Sequence, residues 1–318
     1  MKIVVLDGYA INNGDITWND FEQLGDFKVY PRTSKEDIIE RAKDAEMILL
    51  NKVPMKEETL LQLPKLKYIG VLATGFNIVD VDAAKRLGIA VTNIPNYSTD
   101  SVAQTAFAHI LNITNKVDYY ACENRKGRWS QQSDFCYIDT PIQELTGKTL
   151  GIIGLGNIGK RVAEIALAFG LKVKAFTSKK AEELPTGIEK TSLNDLLSTS
   201  DIVSLHCPLT DTTREMINKD TLRLMKPNAI LVNTSRGPLV NEHDIAEALH
   251  SKLIAAYATD VMCKEPPAAD NPLFKCENAY ITPHVAWAST EALGRLLDIA
   301  LSNAKAFING NPTNVVNP

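Results

Sequence analysis

Gly154-Leu155-Gly156-Asn157-Ile158-Gly159 fits G-x-G-x-x-G, the spacing with which a strand turns into a helix beside a diphosphate. The three glycines meet different demands: Gly154 permits the tight turn, Gly156 lets the backbone approach a pyrophosphate, and Gly159 lets helix and strand pack closely. The helix N-terminus then offers N–H groups and a positive dipole end to the anion. A glycine-rich turn without ligand is the plain alternative; the strand before the motif and the helix after it argue against that. About 20 residues further on, such a site usually carries an acid that binds the adenosine ribose. Here the sequence reads Thr177-Ser178-Lys179-Lys180, with no carboxylate. Ser178 and the two lysines could accept a 2′-phosphate, or be a solvated surface pair. The reading is therefore NAD(P)H, with the choice between the two nicotinamide cofactors open.

Three ionisable residues follow three successive strand-like runs. Arg236 stands in NTSRG after Ile230–Val232, Glu265 beyond Ile254–Ala258, and His284 after Tyr280–Thr282. In an open α/β sheet, ligands bind outside the carboxyl ends of the strands, so the three could converge on the nicotinamide. Reducing a ketone takes a hydride, which the cofactor supplies, and a proton. Histidine changes charge near neutral pH and suits the proton's role. Glu265 beside His284 would orient the ring and favour the imidazolium. Arg236 could grip a carboxylate bidentately and polarise the neighbouring ketone. A 2-oxo acid uses all three. Taken singly, each has a bland reading: a surface arginine, a solvated glutamate before Pro266-Pro267, a satisfied core histidine. His206, at the end of its own strand in HCPLT, is the rival acid, with packing beside the cofactor as its bland role.

Alternating β-like runs and helical spacing must position these groups. Ile3–Leu6, Lys28–Tyr30, Met47–Leu50 and Tyr68–Leu72 read as strands, with helices over Lys35–Lys43 and Val79–Leu87. NIPNYSTD (Asn93–Asp100) reads as a hinge, with a long helix from about Ser101 capped by Thr99 or Asp100. Alternation resumes at Thr149–Ile153 and continues to Tyr280–Thr282, with helices over Ile158–Phe169 and Glu242–Leu249. Ser289 or Thr290 caps a last amphipathic helix, Ala292–Ile308. The expected fold class is α/β: two Rossmann-like, doubly wound parallel-sheet domains with a cleft between them. Residues 1–100 with 288–318 form a discontinuous, flavodoxin-like substrate domain, and 101–287 the dinucleotide-binding Rossmann domain. Residues 121–146 show no clean period but hold Trp129, Phe135 and Tyr137, which reads equally as a dimerisation arm or a long surface loop.

The 318 residues suffice for two domains with full cores. Net charge is −4, from 34 basic and 38 acidic residues, with no basic block, which argues against nucleic-acid and polybasic membrane partners. No run approaches the roughly 18 apolar residues of a membrane span. Lys2 and the short run to Leu6, cut off by Asp7 and Gly8, do not make a signal peptide. Five cysteines without a Cys-x-x-Cys pair argue for reduced thiols, no metal site and a cytoplasmic protein.

GLGNIG, HCPLT, NTSRGPLV, Asp260…Glu265-Pro266 and TPH, in this order, resemble the D-isomer-specific 2-hydroxyacid dehydrogenases over essentially the whole chain. NKVP (Asn51–Pro54), ATGFNIVD (Ala73–Asp80) and NYSTDSVAQ (Asn96–Gln104) are similar to the glycerate dehydrogenase, or hydroxypyruvate reductase, branch. The resemblance implies a catalytic triad at Arg236, Glu265 and His284, with His284 as proton donor. It implies cofactor contacts at Gly156, Asn157, Ile158, Thr177, Cys207, Thr234, Arg236 and Asp260, and substrate-carboxylate binding by the Ala73-Thr74-Gly75 backbone. It implies a homodimer joined through the second domain. Thr177 departs from the aspartate of many relatives and bears on nicotinamide preference. The expected activity is NAD(P)H-dependent reduction of hydroxypyruvate, and of glyoxylate, to the D-2-hydroxy acid. A dehydrogenase for a bulkier 2-oxo acid, or an NADH-sensing binding protein similar to the C-terminal-binding corepressors, are the alternatives.

Overall fold

The computed structural model describes residues 1–11 and 17–318. The chain divides into two compact units, Met1–Ser98 with Ala288–Pro318, and Thr99–Trp287.

In the first unit the strands are β1 (Lys2–Val5), β2 (Asp26–Val29), β3 (Met47–Leu50), β4 (Tyr68–Val71) and β5 (Ala90–Thr92). They pair in parallel in the order β2-β1-β3-β4-β5. The helices between them are short: α1 (Asn19–Glu22), α2 (Ile38–Ala42), α3 (Glu57–Leu60) and α4 (Val81–Arg86). β3 and β4 are buried along their whole length, as strands covered on both faces must be. Val4, Ile48, Leu50, Ile69 and Val91 pack with Ile38, Ala42, Leu60 and Ala83 in one core. The helical spacing at 35–43 and 79–87 marks real helices, but both are shorter than the pattern. In the second, Asp80 caps α4 by accepting from the Ala83 N–H at 3.0 Å, so Val79 and Asp80 lie outside the helix.

The second unit opens with α5 (Thr99–Asn115) and α6 (Val117–Arg125). Thr99 and Asp100 therefore lie inside α5 rather than capping it. The stretch 121–146 is likewise not wholly irregular, because its first five residues complete α6. The strands are β6 (Thr149–Ile153), β7 (Lys172–Phe176), β8 (Ile188–Lys190), β9 (Ile202–Leu205), β10 (Ile230–Asn233), β11 (Ala256–Thr259) and β12 (Ala279–Ile281). Helices α7 (Asn157–Ala168), α8 (Leu193–Thr199), α9 (Lys219–Leu222) and α10 (Glu242–His250) connect them. All pair in parallel in the order β12-β11-β10-β9-β6-β7-β8. Val203, Leu231, Ile245, Leu249 and Tyr257 form a core on one face, and Ile152, Val162, Ala166, Val232 and Phe107 on the other. Apolar cores on both faces are what a doubly wound sheet requires. No helix among the described residues is long and apolar enough to cross a membrane.

The chain then returns to the first unit as α11 (Thr290–Ile308), with Ser289 as its N-cap, accepting from the Ala292 N–H. Ala292, Leu296, Ala300 and Ala304 lie on its buried side, and the Tyr68 and Phe307 rings approach to 4.8 Å. The final residues run beside β5: Val316 donates to the Val91 carbonyl at 2.8 Å, and Asn317 accepts from the Val91 N–H at 2.8 Å.

Candidate active site

In the second unit the strand order sorts the chemistry. Reading along the sheet's carboxyl edge, His284 follows β12, Glu265 lies beyond β11, Arg236 follows β10, Cys207 follows β9, Gly154 follows β6 and Thr177 follows β7. Six residues separated by more than a hundred positions thus occupy successive stations of one edge.

His284 and Glu265 meet directly, with Nδ1 and Oε2 2.7 Å apart. Both are accessible, the side chains being 31% and 37% exposed, so the pair is open to a small molecule. A carboxylate can only accept, so Nδ1 carries the hydrogen of this bond. The other ring nitrogen, Nε2, is left to donate or accept elsewhere. Glu265 is itself oriented, because its Oε1 accepts from the Met262 N–H at 3.0 Å. His284 sits in the left-handed region (φ 57°), and the carbonyl of this residue accepts from the Trp287 indole. The turn is fixed by Asp260, which is 1% exposed. Its carboxylate accepts from the Thr282 hydroxyl at 2.6 Å, the Val285 N–H at 2.9 Å and the Ala286 N–H at 2.8 Å. Asp260 is expected to touch the cofactor; most of its acceptor capacity is spent on this turn. Because the Thr282 proton goes to Asp260, His109 Nε2, 3.2 Å from that hydroxyl, is the donor of its own bond. Arg236 is exposed, one strand over, with Nη1 on the Ser235 carbonyl at 2.7 Å.

His206 differs from His284 in kind. Its Nε2 lies 2.8 Å from the Ser204 hydroxyl, and burial pushes its pKa down to about 4, although an edge of the residue reaches solvent. It is neutral at neutral pH and a poor reservoir for a proton to be donated. The unfolded chain, with the ordinary value of 6.5, binds that proton first as pH falls. Stability contributed by neutral His206 is therefore full above about pH 6.5 and lost toward about pH 4. Urea midpoints at pH 7, 5 and 4 should show the loss, of order 3 kcal/mol, and His206→Gln should flatten it. Equal acid slopes for both proteins would refute this assignment.

The dinucleotide loop follows the physics of its glycines. Gly154 has φ 94°, and a Cβ there would meet the Cys207 nitrogen at 2.5 Å. A Cβ on Gly159 would lie 2.2 Å from the Gly154 carbonyl oxygen. Gly156, the N-cap of α7, has open space where its side chain would be, and so provides no side-chain cap for the helix. Thr234 Oγ1 is buried and has no hydrogen-bond partner among the described residues. An open glycine at a helix start and an orphaned buried hydroxyl at the neighbouring edge fit a bound dinucleotide. Asn157 and Ile158 form the first turn of α7. The Thr177 hydroxyl accepts from the Lys179 N–H at 3.3 Å, and Ser178 is exposed. The Cys207 thiol is held up at about 11 by burial, which makes it a packing group rather than a nucleophile.

In the first unit, Ala73-Thr74-Gly75 follows β4. The Thr74 hydroxyl donates to the Ile94 carbonyl at 2.8 Å, and the Ala73 carbonyl accepts from the Ile94 N–H, so the loop's shape is set by internal bonds. The NKVP segment is held from below by Asp7. Its carboxylate accepts from the Asn51, Lys52 and Val53 N–H groups at 2.8, 2.5 and 3.2 Å. Burial raises the Asp7 pKa in spite of these three donors. Two groups escape a motif search: Asp7, whose only sequence signal is its place at the end of the first strand, and Lys160, directly after the last glycine of the loop. No cluster of three or more His, Cys, Asp or Glu side chains suited to a metal occurs among the described residues.

Residues 107–286 match the family model described as "D-isomer specific 2-hydroxyacid dehydrogenase, NAD binding domain". The chain belongs to the D-isomer-specific 2-hydroxyacid dehydrogenases, a family of oxidoreductases with a nicotinamide-dinucleotide-binding domain. It is 45% identical over 321 residues to the hydroxypyruvate reductase of Blautia hydrogenotrophica, covering 100% of both chains. It is 42% identical over 318 residues to the glycerate dehydrogenase of Methylorubrum extorquens, covering 99% of this chain and 98% of that one. Among solved structures it is similar to D-lactate dehydrogenase from Aquifex aeolicus complexed with NAD and lactic acid, with a TM-score of 0.85 and 31% identity, covering 100% and 99% of the two chains.

Proposed function

We propose that this chain reduces hydroxypyruvate, and also glyoxylate, to the D-2-hydroxy acid, with His284 as acid, Glu265 as its orienting partner and Arg236 as the carboxylate clamp. The observation that carries the reading is the 2.7 Å His284–Glu265 contact at the carboxyl edge of the dinucleotide sheet, one strand from Arg236. The resemblance to full-length relatives named for hydroxypyruvate and glycerate supports the substrate.

A bound nicotinamide supplies the hydride. The chain's own residues supply the rest. Glu265 holds the Nδ1–H of His284 and leaves Nε2 to give a proton to the carbonyl oxygen as it gains charge. In the reverse direction neutral His284 takes the hydroxyl proton. Arg236 pairs with the substrate carboxylate through its planar fork, and in the first unit the Ala73-Thr74-Gly75 backbone is proposed as a carboxylate-binding loop. Gly156, Asn157, Ile158, Thr177, Cys207, Thr234 and Asp260 are the proposed cofactor contacts. Steady-state reduction of hydroxypyruvate, glyoxylate and pyruvate with each nicotinamide cofactor tests the reading, with hydroxypyruvate expected to give the largest kcat/KM. Tight cofactor binding without turnover on any of the three would overturn it in favour of a sensor.

We further propose a cytoplasmic homodimer joined through residues 121–146. Trp129, Phe135, Ile138 and Ile142 in that stretch are 54%, 89%, 71% and 52% exposed, an apolar concentration that marks an interaction surface. The stretch is nonetheless ordered: Arg128 pairs with Asp139 at 2.6 Å and lies over the Tyr137 ring, and the Trp129 indole donates to the Phe135 carbonyl. A solution mass equal to that of one 35.0 kDa chain would refute the dimer.

A further inference from the structure

β6 and β7 are neighbours, with Ile153 opposite Phe176, and the Gly154 N–H donates to the Phe176 carbonyl at 2.9 Å. The glycine loop is thereby tied to the start of the Thr177–Lys180 turn, and the first turn of α7 lies beside that turn. Lys160, in that first turn, and Lys179, in the loop, are both half-buried. The loss of water around Lys179, and then the positive charge of Lys160, hold its pKa below the ordinary lysine value, with Glu183 acting weakly the other way. A third cation completes the group, since Lys190 Nζ donates to the Lys179 carbonyl and pins the loop. Glu183 is turned to the backbone, where it accepts from the Lys180 N–H at 2.6 Å. Elsewhere in this unit Lys174 pairs with Glu189 and Lys226 with Asp201. Two like charges held on neighbouring elements repel, the more so near a protein surface than in bulk water. An anion between them turns that cost into binding.

We propose that Lys160 and Lys179 form a receptor for a phosphate ester on the adenosine ribose, and that the chain therefore selects NADP(H) over NAD(H). The inference rests on the dinucleotide reading above and deepens it. The end of the second strand of a dinucleotide-binding sheet is where the ribose 2′ position falls, and a doubly charged phosphate there suits two ammonium groups as a neutral hydroxyl does not. Lys160 is then a specificity residue, reaching the ribose from the helix rather than from the loop. Lys190 is a positioning residue that holds the loop by its backbone.

Calorimetric titration of the full chain with 2′,5′-ADP, 5′-ADP and inorganic phosphate tests this without turnover. The expected result is that 2′,5′-ADP binds about tenfold tighter than 5′-ADP or better, an advantage that shrinks as salt rises. Lys160→Gln and Lys179→Gln should each lower the ratio of the two affinities several-fold, an internal ratio that a general loss of folded protein cannot mimic. Equal affinities for the two ADPs would overturn the inference while leaving the dinucleotide site standing. Failure of both to bind would overturn that site as well. Inorganic phosphate competing as well as 2′,5′-ADP would point to a free-anion site and overturn cofactor selection. An unchanged ratio in Lys160→Gln would remove Lys160 from the receptor.

Discussion

Replacing His284 with alanine should lower turnover of hydroxypyruvate by about 10²- to 10⁴-fold, the range over which a positioned general acid acts. Nucleotide affinity should change little, because the ring makes its 2.7 Å bond to Glu265 and not to the glycine loop. A deficit confined to kcat, with KM nearly constant, would identify an interaction made in the transition state. The contrast with His206 gives the experiment its force. That ring, with its pKa down at about 4, has no proton to give near neutrality. His206→Gln should therefore retain most of the turnover that His284→Ala loses. Near-wild-type turnover in His284→Ala would transfer the acid role to His206 or to water and break the proposed mechanism.

The second large effect is expected at Asp260, and here stability is the readout. Asp260→Ala leaves the Thr282 hydroxyl and the Val285 and Ala286 N–H groups without the acceptor that Asp260, itself 1% exposed, provides; the Ala286 bond is buried and the other two are partly so. A buried donor left unsatisfied costs about 1–3 kcal/mol, so with one buried and two part-buried donors the second unit should lose roughly 3 kcal/mol. For a domain of this size that lowers Tm by roughly 6–12 °C. Asp260→Asn should fall between, since one amide oxygen still accepts while its NH2 opposes an N–H. Thermal unfolding followed by circular dichroism measures both. Amide exchange at Val285 and Ala286, faster in the variant, would locate the damage at the turn that carries His284. An unchanged Tm in Asp260→Ala would show that water replaces the carboxylate at no cost.

Much of this was legible before any coordinates, and the reason differs from residue to residue. A parallel sheet buried on both faces writes itself as apolar runs such as Met47–Leu50 and Ile230–Val232, while the helices between them carry the longer period. The glycine loop is legible because sterics at Gly154 and Gly159 admit no other residue. Strand order is not written in this way. That β12, β11 and β10 stand side by side depends on pairings between segments far apart in sequence, and with it the His284–Glu265 contact. The short pieces were also hidden. α3, α8, α9 and β8 span 4, 7, 4 and 3 residues, too few for a period to declare itself. α6 was obscured because it buries no residue and so has no apolar stripe to read. Asp7 and Lys160, and the turn-fixing role of Asp260, escaped for a common reason: they come from backbone N–H groups or cations brought together by the fold, and single residues announce no such meeting.

The return of α11 to the first unit bears on how the protein is made. The first unit is not whole until Ala288–Pro318 has left the ribosome, because Val91 takes partners from Val316 and Asn317, and Tyr68 packs on Phe307. The second unit is continuous and has all its strands well before that point. The order of synthesis lets it close while β4 and β5 still lack the partners that the last segment brings. Until then the second unit is joined to an unfinished first one, and a chaperone has its target in the part made earliest.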